Sequence, residues 1–302
     1  MKKLSDLKKL VVGSSSRRLV LAAAQDHHSL GAVLRAWKDG IIEPILVGDK
    51  EAILNIASTY GFDLNGLYII HEPLTQNAME VAVKMVSSGE ADILMKGKVG
   101  TASLLKCVLN KDWGLRTGNL LSHIALFEVN TYHKLLAVTD VAMNIAPKLH
   151  DKIAIVNNSV ACLNKLGIKL PKVAVLGAVE MVNENMESTL DAALLSKMNQ
   201  RDQIKNCIID GPLAFDNAVS LESASLKGIK SEVAGDTDLL LMPDIEVGNV
   251  LYKTLVFFAK AKVASMILGA SAPIVLTSRS DSEQAKYDSI LLAAAVGKTW
   301  DR

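Results

Sequence analysis

Several short segments of this sequence place charged residues, hydroxyls or glycines where an apolar strand should end. The richest is "PIVLTSRSDSEQAKYDS" at 273–289. Its apolar run delivers Thr277, Ser278 and Arg279 at the tip, and Asp281, Ser282 and Glu283 open the helix that follows. Asp281 suits a helix cap and Glu283 a first turn, but capping gives no reason for an arginine at a strand tip. A second segment, "LMKGKVGTASLLKCVLN" at 94–110, runs from a strand through a glycine turn into a helix. Gly97 and Gly100 allow close backbone approach, Thr101 can cap the helix, and Lys96 and Lys98 add positive charge. Such a turn presents backbone N–H groups to an anion. Leu104, Leu105, Val108 and Leu109 form the apolar stripe, which puts Lys106 on the side of Ala102 and Ser103. An ordinary turn with solvated lysines fits the same residues.

Three further segments carry weaker signals. Arg116 stands between Gly114 and Gly118, and guanidinium forks well onto phosphate, although a loop arginine is also a common exposed residue. Ser122 and His123 open the next strand, where a histidine serves equally as a ligand contact or as a satisfied core residue. Asp140 ends a strand ahead of Asn144 and Pro147, as in a helix cap or an Asx turn. In "MPDIEVGNVLYK" at 242–253, Pro243 and Asp244 end a strand and Gly248-Asn249 open an apolar helix. The sequence contains no G-x-S-x-G, no Walker loop, no G-x-G-x-x-G after its first strand and no H-E-x-x-H. His27 and His28 are adjacent and point differently, so they make no metal pair.

The elements that position these residues alternate along the chain. Apolar runs at 18–24, 44–48, 67–70, 91–97, 122–128, 134–140, 172–178, 206–210, 238–244 and 272–278 read as strands buried on both faces. Helical patterns lie between them, at about 29–39, 49–60, 75–88, 101–110, 149–166, 187–200, 247–268 and 281–297. This rhythm predicts an α/β fold with a largely parallel sheet, whose ligands collect beyond the carboxyl ends of the strands.

Bulk composition narrows the function classes. Half of the 302 residues are hydrophobic, 22% are charged and only 4% are aromatic, as suits a sheet of Ala, Val, Ile and Leu covered by helices. The formal charge of +1 gives no general pull toward nucleic acid or anionic lipid. No apolar run reaches the ~20 residues of a membrane span, and "MKKLSDLKKL" lacks the apolar stretch of a signal peptide. A cytoplasmic protein is expected. Cys107, Cys162 and Cys207 fit neither a zinc pattern nor a closed disulfide framework.

Taken in order, "MKGKVGTASLLKCVLN", "GLRTGNLLSHIALFE", "TDVAMNIAPKL", "GDTDLLLMPDIEVGNVLYK" and "APIVLTSRSDS" resemble the phosphate acetyl/butyryltransferase family over nearly the whole chain. The butyryltransferase branch fits better than the acetyltransferase branch, through "GLRTG", "TDVAMNIAP" and "LTSRSDS". The resemblance implies a two-domain α/β fold of the isocitrate/isopropylmalate dehydrogenase kind, with mostly parallel sheets and the site in an interdomain cleft. Residues 1–130 with 256–302 would form the first domain and 131–255 the second. It implies a homodimer, coenzyme A as substrate, and neither metal nor nicotinamide. The implied reaction is acyl-CoA plus phosphate giving acyl phosphate plus CoA, with butyryl or another short or branched acyl group.

Ser278 and Arg279 match the family's Ser-Arg pair, expected to bond the reacting groups and polarise the carbonyl. Lys106 matches a basic position at which the acetyltransferases carry arginine, and Arg116 is the expected phosphate or CoA contact. Lys96, Gly97, Thr101, Ser122, His123 and Asn249 complete the candidate binding set. The acetyltransferases place a proposed thiol base seven residues after the serine, and here that position is Ala285. Asp281 is the nearest carboxylate. Either Asp281 takes the role, or substrate phosphate does, or no base is needed. A positioned base would contribute roughly 10²–10⁴-fold. Phosphate acetyltransferase activity, or a non-catalytic sensor of CoA compounds or acyl phosphates, are the alternatives. A dehydrogenase would need an aspartate cluster for a divalent metal, and none is evident.

Overall fold

Continuous apolar runs become strands and amphipathic runs become helices in strict alternation through most of the chain. The computed structural model describes residues 1–13, 15–278 and 281–297. The first stretch contains α1 (Asp6–Val11), β1 (Arg17–Ala22), α2 (His27–Lys38), β2 (Ile42–Gly48), α3 (Lys50–Tyr60), β3 (Tyr68–His71), α4 (Thr75–Ser87), β4 (Ile93–Lys96) and α5 (Thr101–Val108). The middle holds β5 (Ser122–Glu128), β6 (Leu136–Thr139), α6 (Leu149–Lys165), β7 (Lys172–Leu176), α7 (Glu187–Gln200), β8 (Ile208–Leu213), α8 (Phe215–Val219), α9 (Leu221–Leu226), β9 (Leu239–Leu241) and α10 (Ile245–Phe257). The chain ends with β10 (Lys262–Leu268), β11 (Ile274–Val275) and α11 (Glu283–Gly297).

Two compact units result. The terminal unit combines Ser5–Asn119 with Ala264–Arg302, and the middle unit combines Leu120–Val263 with Met1–Leu4.

In the terminal unit the strand order is β3-β2-β1-β4-β11-β10. Its pairs are parallel except β10 with β11. β1 and β4 lie inside the sheet, and from Leu19 to Ala24 nothing is exposed. Such residues see apolar neighbours on both faces, which is why these strands read as unbroken apolar runs. α11 is buried from Ala285 to Val296. A helix apolar nearly all round belongs inside a unit rather than on its surface.

In the middle unit the order is β5-β6-β9-β7-β8, antiparallel only between β5 and β6. β8 lies at the edge, where Pro212 leaves no ladder bond unmade. α6 and α7 are joined by an ion pair between Lys152 and Asp191 at 2.6 Å, with both side chains almost wholly buried. The sheets of both units are thus mostly parallel, within an α/β architecture.

One helix expected from the sequence divides. The run at 247–268 becomes α10 and β10, separated by a turn in which Lys260 adopts a left-handed φ of 51°. "KVASMIL" packs as a strand buried from Val263 onward. The strand expected at 206–210 continues to Leu213, and α8 and α9 had no counterpart in the sequence reading.

Candidate active site

In the terminal unit, β1, β4 and β11 lie side by side and parallel, so their carboxyl ends emerge together. β1 leads to Asp26, β4 to Lys96 and Gly97, and β11 to Thr277 and Ser278. Lys96 is buried, and its ammonium donates to the Gly97 and Val99 carbonyls at 3.4 Å each. Gly97 is required by close approach: a Cβ there would collide with the Ala23 carbonyl oxygen.

The turn after β4 uses more of its own N–H groups than the sequence suggested. Those of Gly97, Lys98 and Val99 are bonded to Ala22, Ala23 and Gly97 carbonyls at 2.9 Å. The amides available to a ligand here are therefore the opening ones of α5 itself. Thr101 is the first helical residue rather than the cap. Gly100 holds the cap position, without a side-chain hydrogen bond. Thr101, Ala102 and Ser103 are exposed at this end of α5, and Lys106 is exposed in its last turn. A helix start with uncapped amides attracts phosphate.

Arg116 is also exposed, and its backbone is fixed. It bridges to Ala270, Leu115 accepts from the Ser271 N–H at 2.9 Å, and Thr117 Oγ1 donates to the Gly269 carbonyl at 2.6 Å. The connection between β10 and β11 thus holds this arginine loop in place.

At the tip of β11, Ser278 is exposed while Thr277 is buried. Arg279 lies outside the described residues. Asp281 does not cap α11. Its Oδ2 accepts the Ser278 N–H at 2.7 Å, and Ser282 Oγ takes the capping role by accepting the Ala285 N–H at 3.2 Å. Ala285, where a family acid was expected, is buried in the first turns of α11. The next residue, Lys286, escaped the sequence reading. Its ammonium is buried and donates to Thr277 Oγ1 and to the Ser278 carbonyl, both at 3.1 Å. Lysine in "EQAKYDS" looks solvated, and only the helical turn that returns it toward β11 reveals otherwise.

In the middle unit the candidates separate. Ser122 and His123 are buried within β5. Ser122 Oγ accepts from Asn158 Nδ2 at 3.0 Å, and the His123 ring meets Tyr252 edge-on, with centroids 6.2 Å apart. Asn249 is exposed near the start of α10 and donates to the Val141 carbonyl at 3.3 Å. Asp244 caps that helix by accepting the Val247 N–H at 2.8 Å. Asp140 makes the expected Asx turn: its Oδ1 accepts the Ala142 and Met143 amides, and Asn144 donates to its Oδ2 at 2.6 Å. A cavity of about 980 Å³ opens beside the starts of α6 and α10, lined by Lys148, Phe215, Met242, Val247 and Val250 among others.

Comparison with known proteins gives concordant results. Residues 67–294 match the family model described as phosphate acetyl/butaryl transferase. The chain is 51% identical to a phosphate butyryltransferase of Clostridium acetobutylicum over 95% of both chains. It is 47% identical to a phosphate acetyltransferase of Thermotoga maritima, covering 95% of this chain and 98% of that one. The crystal structure of a branched-chain phosphotransacylase from Enterococcus faecalis superposes with a TM-score of 0.81 at 32% identity, covering 93% of this chain and 99% of the other.

Proposed function

Because this chain belongs to the phosphate acetyl/butaryl transferase family and is a phosphate acyltransferase, we propose that its preferred substrates are butyryl-CoA and other short or branched acyl-CoAs. The observation that carries this reading is the full-length likeness to a butyryltransferase. A phosphate oxygen attacks the thioester carbonyl, the new C–O bond forms, the C–S bond breaks, and CoA leaves as a thiolate that takes up a proton. Negative charge gathers on the carbonyl oxygen and already sits on phosphate, so donors and cations are what the reaction needs. Arg279 polarises the carbonyl and Ser278 bonds the reacting groups. Lys106, Arg116 and the opening amides of α5 hold phosphate groups, and Asn249 contacts CoA.

Asp281 serves the tip of β11 rather than the thiol in this proposal. Its bond to the Ser278 amide supports that role. A homodimer belongs to the same reading, supported by exposed apolar residues along α10. So does a cytoplasmic setting, supported by three cysteines that are all free and buried.

Those cysteines simplify the test. Burial raises the thiols of Cys162 to about 12 and Cys207 to about 11, and pushes Cys107 up as well. A thiol reagent at neutral pH therefore reads released CoA and not the protein. Phosphate-dependent release from acetyl-, butyryl- and isobutyryl-CoA ranks the acyl groups. Two extra methylenes, fully buried at ~0.8 kcal/mol each, favour butyryl over acetyl by about 15-fold in kcat/KM. Arg279→Ala should lower kcat by about 10²–10³. Acetyl-CoA ranking first would overturn the acyl preference. CoA binding with no release from any of the three would favour a sensor.

A further inference from the structure

We propose that Lys286 is a positioning residue for acyl transfer, holding from inside α11 the tip of β11 at Thr277 and Ser278. The inference rests on the transferase reading and adds to it a residue that does not touch substrate.

Both backbone polar groups of Ser278 are held by side chains that follow it in the chain. Asp281 accepts its N–H at 2.7 Å, and Lys286 donates to its carbonyl at 3.1 Å, a carbonyl that also accepts the Asp281 N–H at 3.2 Å. Lys286 and Asp281 together therefore fix the backbone that carries the Ser278 side chain. The second bond of the ammonium, to Thr277 Oγ1, ties the same strand end one residue earlier.

A buried lysine needs a reason. Removing an ammonium from water is costly unless hydrogen bonds and opposite charge replace the solvent. Lys286 is only 3% exposed. Burial lowers its pKa, and the carboxylates of Asp26 and Asp281 offset part of that effect. Asp26 is itself fixed at the start of α2, where it accepts the Ser29 N–H at 2.9 Å. α2 in turn grips α11: Arg35 donates to Gln284 Oε1 at 2.7 Å and lies 4.0 Å over the Tyr287 ring. The ammonium thus bonds the strand tip, while Asp26 and Asp281 supply the opposite charge. If stability alone were served, an apolar side chain in a helix this buried would do as well.

The test compares wild type with Lys286→Met, Lys286→Gln and Lys286→Arg, measuring kcat and KM for butyryl-CoA and phosphate alongside thermal unfolding. Misplacing a reacting group by about 1 Å costs on the order of 10²-fold. Lys286→Met is expected to lower kcat by roughly 10–100-fold, with KM for butyryl-CoA changed by less than about 3-fold. Lys286→Arg, which keeps a donor and a charge, should recover most of the loss. Wild-type kcat per folded molecule in Lys286→Met would overturn the proposal, as would a loss fully explained by the unfolded fraction. If Lys286→Met does not fold, Lys286→Gln, too short to reach Ser278, decides in the same way. Inactive wild-type protein would instead count against the transferase reading.

Discussion

Asp236 collects three basic groups in the middle unit: Lys172 Nζ at 2.7 Å, His133 Nε2 at 2.8 Å and Lys134 Nζ at 2.9 Å. Burial alone would raise its pKa, but hydrogen bonds from Lys172, Lys134 and His133 outweigh burial and hold the carboxyl well below the usual range. A carboxyl that binds its proton less readily when folded stabilises the fold fully above its unfolded pKa of ~3.9. That contribution drains away as the pH falls through the folded value. Asp236→Asn should therefore lower the thermal midpoint at neutral pH, with the gap to wild type closing below pH ~4. An equal gap at both ends of the range would refute the linkage. The side chain is 44% exposed, so solvent and salt screen the effect. At this scale the sequence disclosed the residues at strand tips, Lys96, Thr277 and Ser278 among them, because strand ends announce themselves as breaks in apolar runs. It hid Lys286, whose partners Thr277 and Ser278 lie on the preceding strand, because a one-dimensional pattern does not say which polar residue of a helix faces inward.

Elements were legible wherever burial dictated an unbroken apolar run. β5 was read with its observed limits because all but its last residue are buried. β10 was missed because the apolar run from α10 continues almost without interruption into "KVASMIL", and periodicity alone does not separate a buried strand from a buried helix. The turn at Lys260 does so, through a backbone conformation with no glycine to mark it. Glycines can mislead in the opposite direction. Gly248 stands near the start of α10, where propensity predicts that alanine would stabilise the helix by about 1 kcal/mol. Its neighbours decide otherwise. A Cβ there would collide with the Asp140 carbonyl oxygen and press on Val141 Cα at 3.1 Å. Both atoms are backbone and cannot swing aside. Gly248→Ala should destabilise by about 1–3 kcal/mol, read as a lower urea midpoint with an unchanged slope. A higher midpoint would mean that α10 can shift away from the end of β6.

At the scale of the whole molecule, what matters is what the surface leaves uncovered. Along α10 the exposed residues Val247, Val250, Thr254 and Phe257 fall three or four positions apart, and Phe258 beyond them is 87% exposed. That spacing makes one helical face. Val247, Val250 and Thr254 also line the 980 Å³ cavity, so the apolar face and the hollow beside it are continuous. Monomeric proteins rarely leave large contiguous apolar patches in water. A formal charge of +1 adds almost no repulsion between two copies. The proposed homodimer would place a second copy of this chain on that surface. Stable pairing asks for about 800 Å² from each partner, more than one helix face supplies, so the proposed dimer would also use the rim of the cavity. Val250→Glu places a charge in the centre of the face without touching the buried side of α10. Light scattering should then give a dimer mass for wild type and a monomer mass for the variant, with similar circular dichroism. A monomeric wild type would remove self-association from the proposal. A dimer that survives Val250→Glu would place the interface on a different surface.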